Sequence, residues 1–220
     1  MPVIEPDVSR ARRVGRAPGD GRLRVAVLIS GGGSNLQSLI EAQRDPDYGI
    51  ELVVVGSDRA AGGLQLAERA GIPTFVESVR SHPDRAAWDS ALTARLAAHR
   101  PELVISAGFL KLVGADFLRE FAGRYLNTHN ALLPSFPGIH GPADALAYGV
   151  KIAGATLFFV DEGVDTGPIL AQVAVPVEDG DDVHTLTERI KVAERRQLVD
   201  QVGRLARQGW TIQGRKVSIP

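Results

Sequence analysis

Residues 27–40 read VLISGGGSNLQSLI, and this stretch passes from a strand through a turn into a helix. The apolar run ending at Ile29 is too short for a buried helix, and Gly31, Gly32 and Gly33 close it with a turn. Beyond the turn, Leu36, Leu39 and Ile40 recur at helical spacing. The unit repeats outward. LRVAVLIS from Leu23, IELVVVGSD from Ile50, IPTFVES from Ile72 and PELVISAGF from Pro101 are apolar runs of strand length. Between them lie helical patterns, with Leu64, Leu66 and Ala67 in one and Trp88, Leu92 and Leu96 in another.

Strands that are apolar on both faces and alternate with helices belong to parallel sheets covered on both sides. The expected fold is therefore α/β: a Rossmann-like, mostly parallel sheet with flanking helices. After Pro134 the texture changes. ALLPSFPGIHGPADALAYG reads as loop and short helix, and IAGATLFFVDEGVDTGPILAQVAVPV as two strands around an acidic loop, a smaller hairpin-like C-terminal lobe. A long helix is expected from about Val183 to Gln208, followed by a two-stranded ribbon in WTIQGRKVSI turning at Gly214. Residues 1–22, rich in proline, glycine and arginine, read as a flexible tail. Residues 23–124 then form a phosphate-binding half and 125–220 a catalytic half.

Composition narrows the partners. Apolar residues are 44% of the 220, charged residues 23%, and the net charge is -1, so no bulk field attracts nucleic acid or anionic lipid. Small-molecule partners are expected, for a monomer or homodimer. With no cysteine, disulfides, thiolate metal sites and a cysteine nucleophile are excluded. No run approaches the ~20 apolar residues of a membrane span, and a cytoplasmic location is the expectation.

Three motifs carry candidate chemistry. In the glycine turn, unhindered backbone N–H groups at a helix start suit an anion, with Gly32, Gly33, Ser34 and Asn35 as its cradle. The pattern is neither G-x-G-x-x-G, since Leu36 stands three after Gly33, nor a P-loop, so a monophosphate fits better than a dinucleotide. The plain alternative is a tight turn capped by Ser34. Asp58, after the second strand, could mimic a ribose-binding acid but reads as an ordinary Ser57-Asp58 turn. In LNTHNALLP, Leu126–Pro134, Asn127 and His129 leave one face of a strand, where an amide and an imidazole can both donate to one developing oxyanion. A buried structural contact is the alternative. In VDEGVDTGPIL, Asp161, Glu162 and Asp165 crowd a loop that is either a solvated turn or a source of one carboxylate beside the histidine, orienting it and favouring its charged form. No recognisable metal-ligand set appears, and no metal is expected. His82, His99, His140 and His184 read as solvated.

Together with AGFLKLV at Ala107–Val113, these motifs resemble the formyltransferases that use 10-formyltetrahydrofolate, over about Leu23 to Val217. The resemblance is strongest to the branch whose acceptor is 5'-phosphoribosylglycinamide, in purine biosynthesis. It implies that Asn127, His129 and Asp165 are catalytic. Gly32, Gly33, Ser34 and Asn35 would hold the substrate phosphate, and Glu194, otherwise an exposed helix acid, its ribose. Arg85, Leu110, Lys111, Leu112 and Val113, with Asn127, would line the folate site. Two positions depart from the family pattern: Asn130 replaces a usual proline and Phe158 a frequent histidine. The alternatives are another amine acceptor, water as acceptor (a formyltetrahydrofolate deformylase), or a noncatalytic nucleotide-sensing module.

Overall fold

The computed structural model describes residues 14–16 and 21–220. A short strand β1 (Val14–Arg16) precedes the main sheet, which contains β2 (Leu23–Ile29), β3 (Ile50–Ser57), β4 (Thr74–Val76), β5 (Leu103–Ser106), β6 (Tyr125–His129), β7 (Ile152–Phe159) and β8 (Ile169–Pro176). Their order is β4-β3-β2-β5-β6-β7-β8, parallel from β4 through β6 and antiparallel for β7 and β8. The helices are α1 (Ser34–Ala42), α2 (Gly62–Arg69), α3 (Arg85–Ala98), α4 (Ala115–Glu120), α5 (Gly141–Tyr148) and α6 (Val183–Gln208).

Alternation along β2 explains the two layers. Val25, Val27 and Ile29 join the cluster that contains Leu36, Leu39, Leu64 and Leu198 of α1, α2 and α6. Ala26 and Leu28 point the other way, into Trp88, Leu92 and Phe117 of α3 and α4. Both faces are covered, which is why the strand is apolar throughout. The chain order reverses between β2 and β5, the switch point at which ligands of such sheets gather beyond the strand ends.

The expected C-terminal hairpin is present and continuous with the main sheet. β7 and β8 extend the main sheet, because β6 and β7 pair from Leu126–Phe159 to His129–Thr156. A small core of its own, with Ala145, Ala153, Val175, Leu186 and Ile190, lies under this end. The final ribbon, β9 (Trp210–Gln213) and β10 (Lys216–Ser218), has a third strand: β1 pairs with β9, Val14 opposite Ile212. The rest of the expected tail, residues 1–13 and 17–20, lies outside the described residues. Helix α4 was not expected, because its six residues are too few to show a period.

One buried hydroxyl joins β7 to the loop after β6. Thr156 Oγ1, on a fully buried residue, donates to Ala131 O at 2.7 Å and accepts from Leu133 N at 3.0 Å. Gln172 of β8 adds bonds to Leu133 O (2.8 Å) and to Thr156 Oγ1 (3.1 Å). Thr156→Val preserves shape but leaves both backbone groups without that partner. It should lower unfolding free energy by about 1–3 kcal/mol, read from the urea midpoint at unchanged m-value.

Candidate active site

A cleft of about 570 Å³ opens at the C-terminal ends of β2, β5 and β6. Its walls include the glycine turn, Asn35, the 110–113 segment, Asn127, His129, Asp165 and Glu194. Parallel strands deliver the glycine turn, the 110–113 segment, Asn127 and His129 to one edge, and the β7–β8 loop and α6 add Asp165 and Glu194. Thr128 also lines the cleft, although it leaves the other face of β6, because the cleft wraps the end of the strand.

The glycine turn is held open by its conformation. Gly33 is left-handed, with φ 76°, and is the N-cap of α1 without a side-chain bond. Ser34 is thus the first helical residue, and the turn is not capped by its hydroxyl. A Cβ on Gly33 would come within 3.0 Å of Gly63 Cα, so positive φ and close approach both demand glycine. Gly63 N donates to Gly31 O at 3.1 Å and seats the turn on α2.

Asn127 stands opposite Ser106 of β5 and Phe158 of β7, so the departure at Phe158 places an apolar ring beside the amide. His129 is anchored through Nε2, 2.8 Å from Phe136 O. A carbonyl only accepts, so Nε2 carries the proton and Nδ1 is the nitrogen that faces Asp165. Nδ1 lies 3.5 Å from Asp165 Oδ2, close enough for an ion pair and too long to commit a proton to one bond. Asp165 takes a left-handed conformation, φ 55°, uncommon away from glycine, and Oδ2 also accepts from Gly138 N at 2.8 Å. Phe136 is likewise left-handed, φ 54°. Strained backbone thus stands on both sides of the imidazole.

Glu194 is buried, not the exposed helix acid its sequence context suggests. Oε1 accepts from Asn35 Nδ2 at 2.6 Å, while among the described residues Oε2 accepts no well-formed hydrogen bond. Burial pushes its pKa above the ordinary carboxylate value, against the opposing pull of Asn35 and the nearby Thr128 hydroxyl. Lys191, one turn earlier on α6, also lines the cleft, where its sequence context suggests only a surface charge. Its i−3 spacing from Glu194 is the one signal in the sequence that could have found it.

The 110–113 segment borders this cleft and a second one of about 600 Å³, in which Arg85 lies. Arg85 donates to Leu112 O and stacks 5.3 Å from the Trp88 ring centre, reaching the segment from the far side and not the main cleft. Two buried carboxylates shape this wall. Asp89 accepts from the amides of Gly114 (2.5 Å), Asp116 (3.1 Å) and Phe117 (3.1 Å), capping α4. Asp58, expected in a plain turn, accepts from Ser30 Oγ at 2.6 Å and from Arg59 at 2.7 Å. The Ser30 hydroxyl in turn accepts from Leu110 N at 2.9 Å, tying the glycine turn to the 110–113 wall. Neighbouring Arg59 and the Ser30 bond outweigh partial burial and lower the pKa of Asp58. Among the other histidines, His82 is not simply solvated, since Nε2 meets Glu77 Oε1 at 2.7 Å. Among the described residues no group of three or more His, Asp or Glu is placed to hold a metal, and no helix is long and apolar enough to cross a membrane.

The Glu194 shift has a signed consequence. A carboxyl raised in the folded state loses its proton more readily when unfolded, so folding is penalised as pH rises above about 4.3, its unfolded value. Glu194→Gln removes the charge and keeps the acceptor for Asn35. Its melting temperature should match the parent near pH 4, and exceed it by a margin that grows above the unfolded value and levels off once pH passes the folded value.

The sequence pattern of the formyl transferase family matches residues 23–202. The chain is 54% identical over 204 residues to phosphoribosylglycinamide formyltransferase of Mycobacterium tuberculosis, covering 93% of this chain and 94% of that protein. It is 47% identical over 194 residues to the trifunctional purine biosynthetic protein adenosine-3 of Drosophila pseudoobscura pseudoobscura, covering 87% of this chain and 14% of that one. Among solved structures, glycinamide ribonucleotide transformylase 1 from Symbiobacterium toebii superposes with a TM-score of 0.88 at 42% identity, covering 91% of this chain and 95% of that one. By sequence pattern, by identity over nearly its whole length and by fold, the chain belongs to the formyl transferase family.

Proposed function

We propose that the chain is a phosphoribosylglycinamide formyltransferase: it moves the formyl group of 10-formyltetrahydrofolate to the amine of 5'-phosphoribosylglycinamide in purine biosynthesis. The observation that carries this reading is a single cleft lined by an uncapped glycine turn, a buried carboxylate and the Asn127, His129, Asp165 group. The N–H groups of Gly32, Gly33, Ser34 and Asn35 take the phosphate, with Lys191 as countercharge. Ribose hydroxyls donate to the unpaired Oε2 of Glu194, which otherwise stays buried at a cost. The folate lies along Leu110, Lys111, Leu112 and Val113, with Arg85 supporting that segment from behind. Residues 23–124 thus act as the phosphate-binding half and 125–220 as the catalytic half, on small molecules in the cytoplasm.

In the reaction the neutral amine attacks the formyl carbon. The oxyanion of the tetrahedral intermediate accepts from the Asn127 amide and from His129 Nδ1–H, while Nε2 stays tethered to Phe136 O. Asp165 faces Nδ1 at 3.5 Å and orients the imidazole toward the reacting carbon. The intermediate collapses with transfer of a proton from the attacking amine to the departing folate nitrogen. Phe158 helps keep water from Asn127, which strengthens the donor.

Tetrahydrofolate release, followed by absorbance, should require phosphoribosylglycinamide. His129→Ala and Asp165→Asn should each slow it about a hundredfold or more. Binding of an inorganic phosphate probe at the glycine turn should persist in both variants. Release in the absence of the acceptor would instead identify water as the second substrate, and full activity of either variant would refute the catalytic assignment.

A further inference from the structure

Among the described residues, β9 and β10 contribute none to the cleft lining, yet the turn between them reaches the loop that carries Asp165. Arg215 follows Gly214, which is left-handed at φ 59° and closes the turn between β9 and β10. Arg215 Nη1 donates to Thr166 O at 2.8 Å and Nη2 to Gly167 O at 3.4 Å. These are the carbonyls of the two residues directly after Asp165, and the planar guanidinium fork spans both.

The rest of the loop shows why such a clamp matters. Its first half is braced internally, since Asp161 Oδ1 accepts from Gly163 N at 3.1 Å and Thr166 Oγ1 at 2.6 Å. Its far end is pressed against β7: a Cβ on Gly167 would fall 1.8 Å from Phe159 O. Between these braces Asp165 holds an unfavourable φ, which persists only where the surroundings overdetermine it. The ribbon is a firm support. Trp210 of β9 is fully buried, stacks on Phe159 at 6.0 Å and donates from Nε1 to Gly123 O at 3.0 Å.

We infer that Arg215 is a positioning residue, clamping the 166–167 backbone from the C-terminal ribbon so that the Asp165 carboxylate stays against His129 Nδ1. The inference rests on the catalytic reading of Asp165. Displacement of a catalytic group by even about 1 Å is worth up to a hundredfold in rate. Loss of one exposed clamp, leaving the internal braces, therefore costs less.

The test is steady-state kinetics on the full-length chain with Arg215→Ala, Arg215→Lys, Asp165→Asn and the double variant Arg215→Ala/Asp165→Asn. Arg215→Ala should lower kcat about tenfold with the KM for phosphoribosylglycinamide unchanged. Arg215→Lys, able to meet one carbonyl, should recover part of the loss. In the Asp165→Asn background, Arg215→Ala should cause no further fall, because the arginine acts through that carboxylate. An equal fall in both backgrounds, or unchanged kcat in Arg215→Ala while Asp165→Asn is impaired, would overturn the inference alone. Full turnover by Asp165→Asn would overturn the catalytic reading, and this inference with it.

Discussion

Five parallel strands must all end on one side, and the floor of the cleft depends on that alignment. The glycine turn hangs from β2, the 110–113 wall follows β5, and Asn127 and His129 stand at the C-terminal end of β6. Parallel pairing also requires crossovers, which place α1 with its start facing the cleft. Where the sheet turns antiparallel at β7, the return strand brings Phe158 beside Asn127 and Thr156 beneath the loop after His129. One topological choice therefore sets both ends of the cleft.

Buried carboxylates divide the remaining work. Asp89 and Asp58 are satisfied by the chain itself, the first by three amides and the second by Ser30 and Arg59, and both act as fixed supports for the 110–113 wall. Glu194 and Asp165 are held differently. Glu194 keeps one oxygen unpaired, and Asp165 sits in a strained conformation at a distance longer than a hydrogen bond from its histidine. Groups whose bonding is completed within the fold stabilise it, whereas groups left incomplete give stability away. The upward shift of Glu194 is the measurable sign of that concession.

Much of the fold is legible in the amino-acid sequence. The strands after Leu23, Ile50 and Pro101, the helix from Val183 to Gln208 and the closing ribbon all announce themselves by periodicity and turn residues. Asn127 and His129 are legible because a period of two assigns them one face. The three-residue β1 and six-residue α4 are not, being shorter than any pattern that could reveal them. Asp58 looks like a turn and Glu194 like surface because their local contexts are those of turn and surface. Their burial comes from partners far along the chain: Ser30 for one, and Asn35, 159 positions away, for the other.

By itself the sequence determined the alternation of strand and helix, the glycine turn and the amide–imidazole pair, because these depend on backbone propensity and side-chain period within a few residues. Only the tertiary structure decided that the hairpin continues the main sheet, that Lys191 faces the cleft, that His129 is tethered by Nε2, and that Arg215 reaches the Asp165 loop. Periodicity states which face a residue occupies. What packs against that face is set by the order and direction of the strands, and those follow from burial summed over the whole chain.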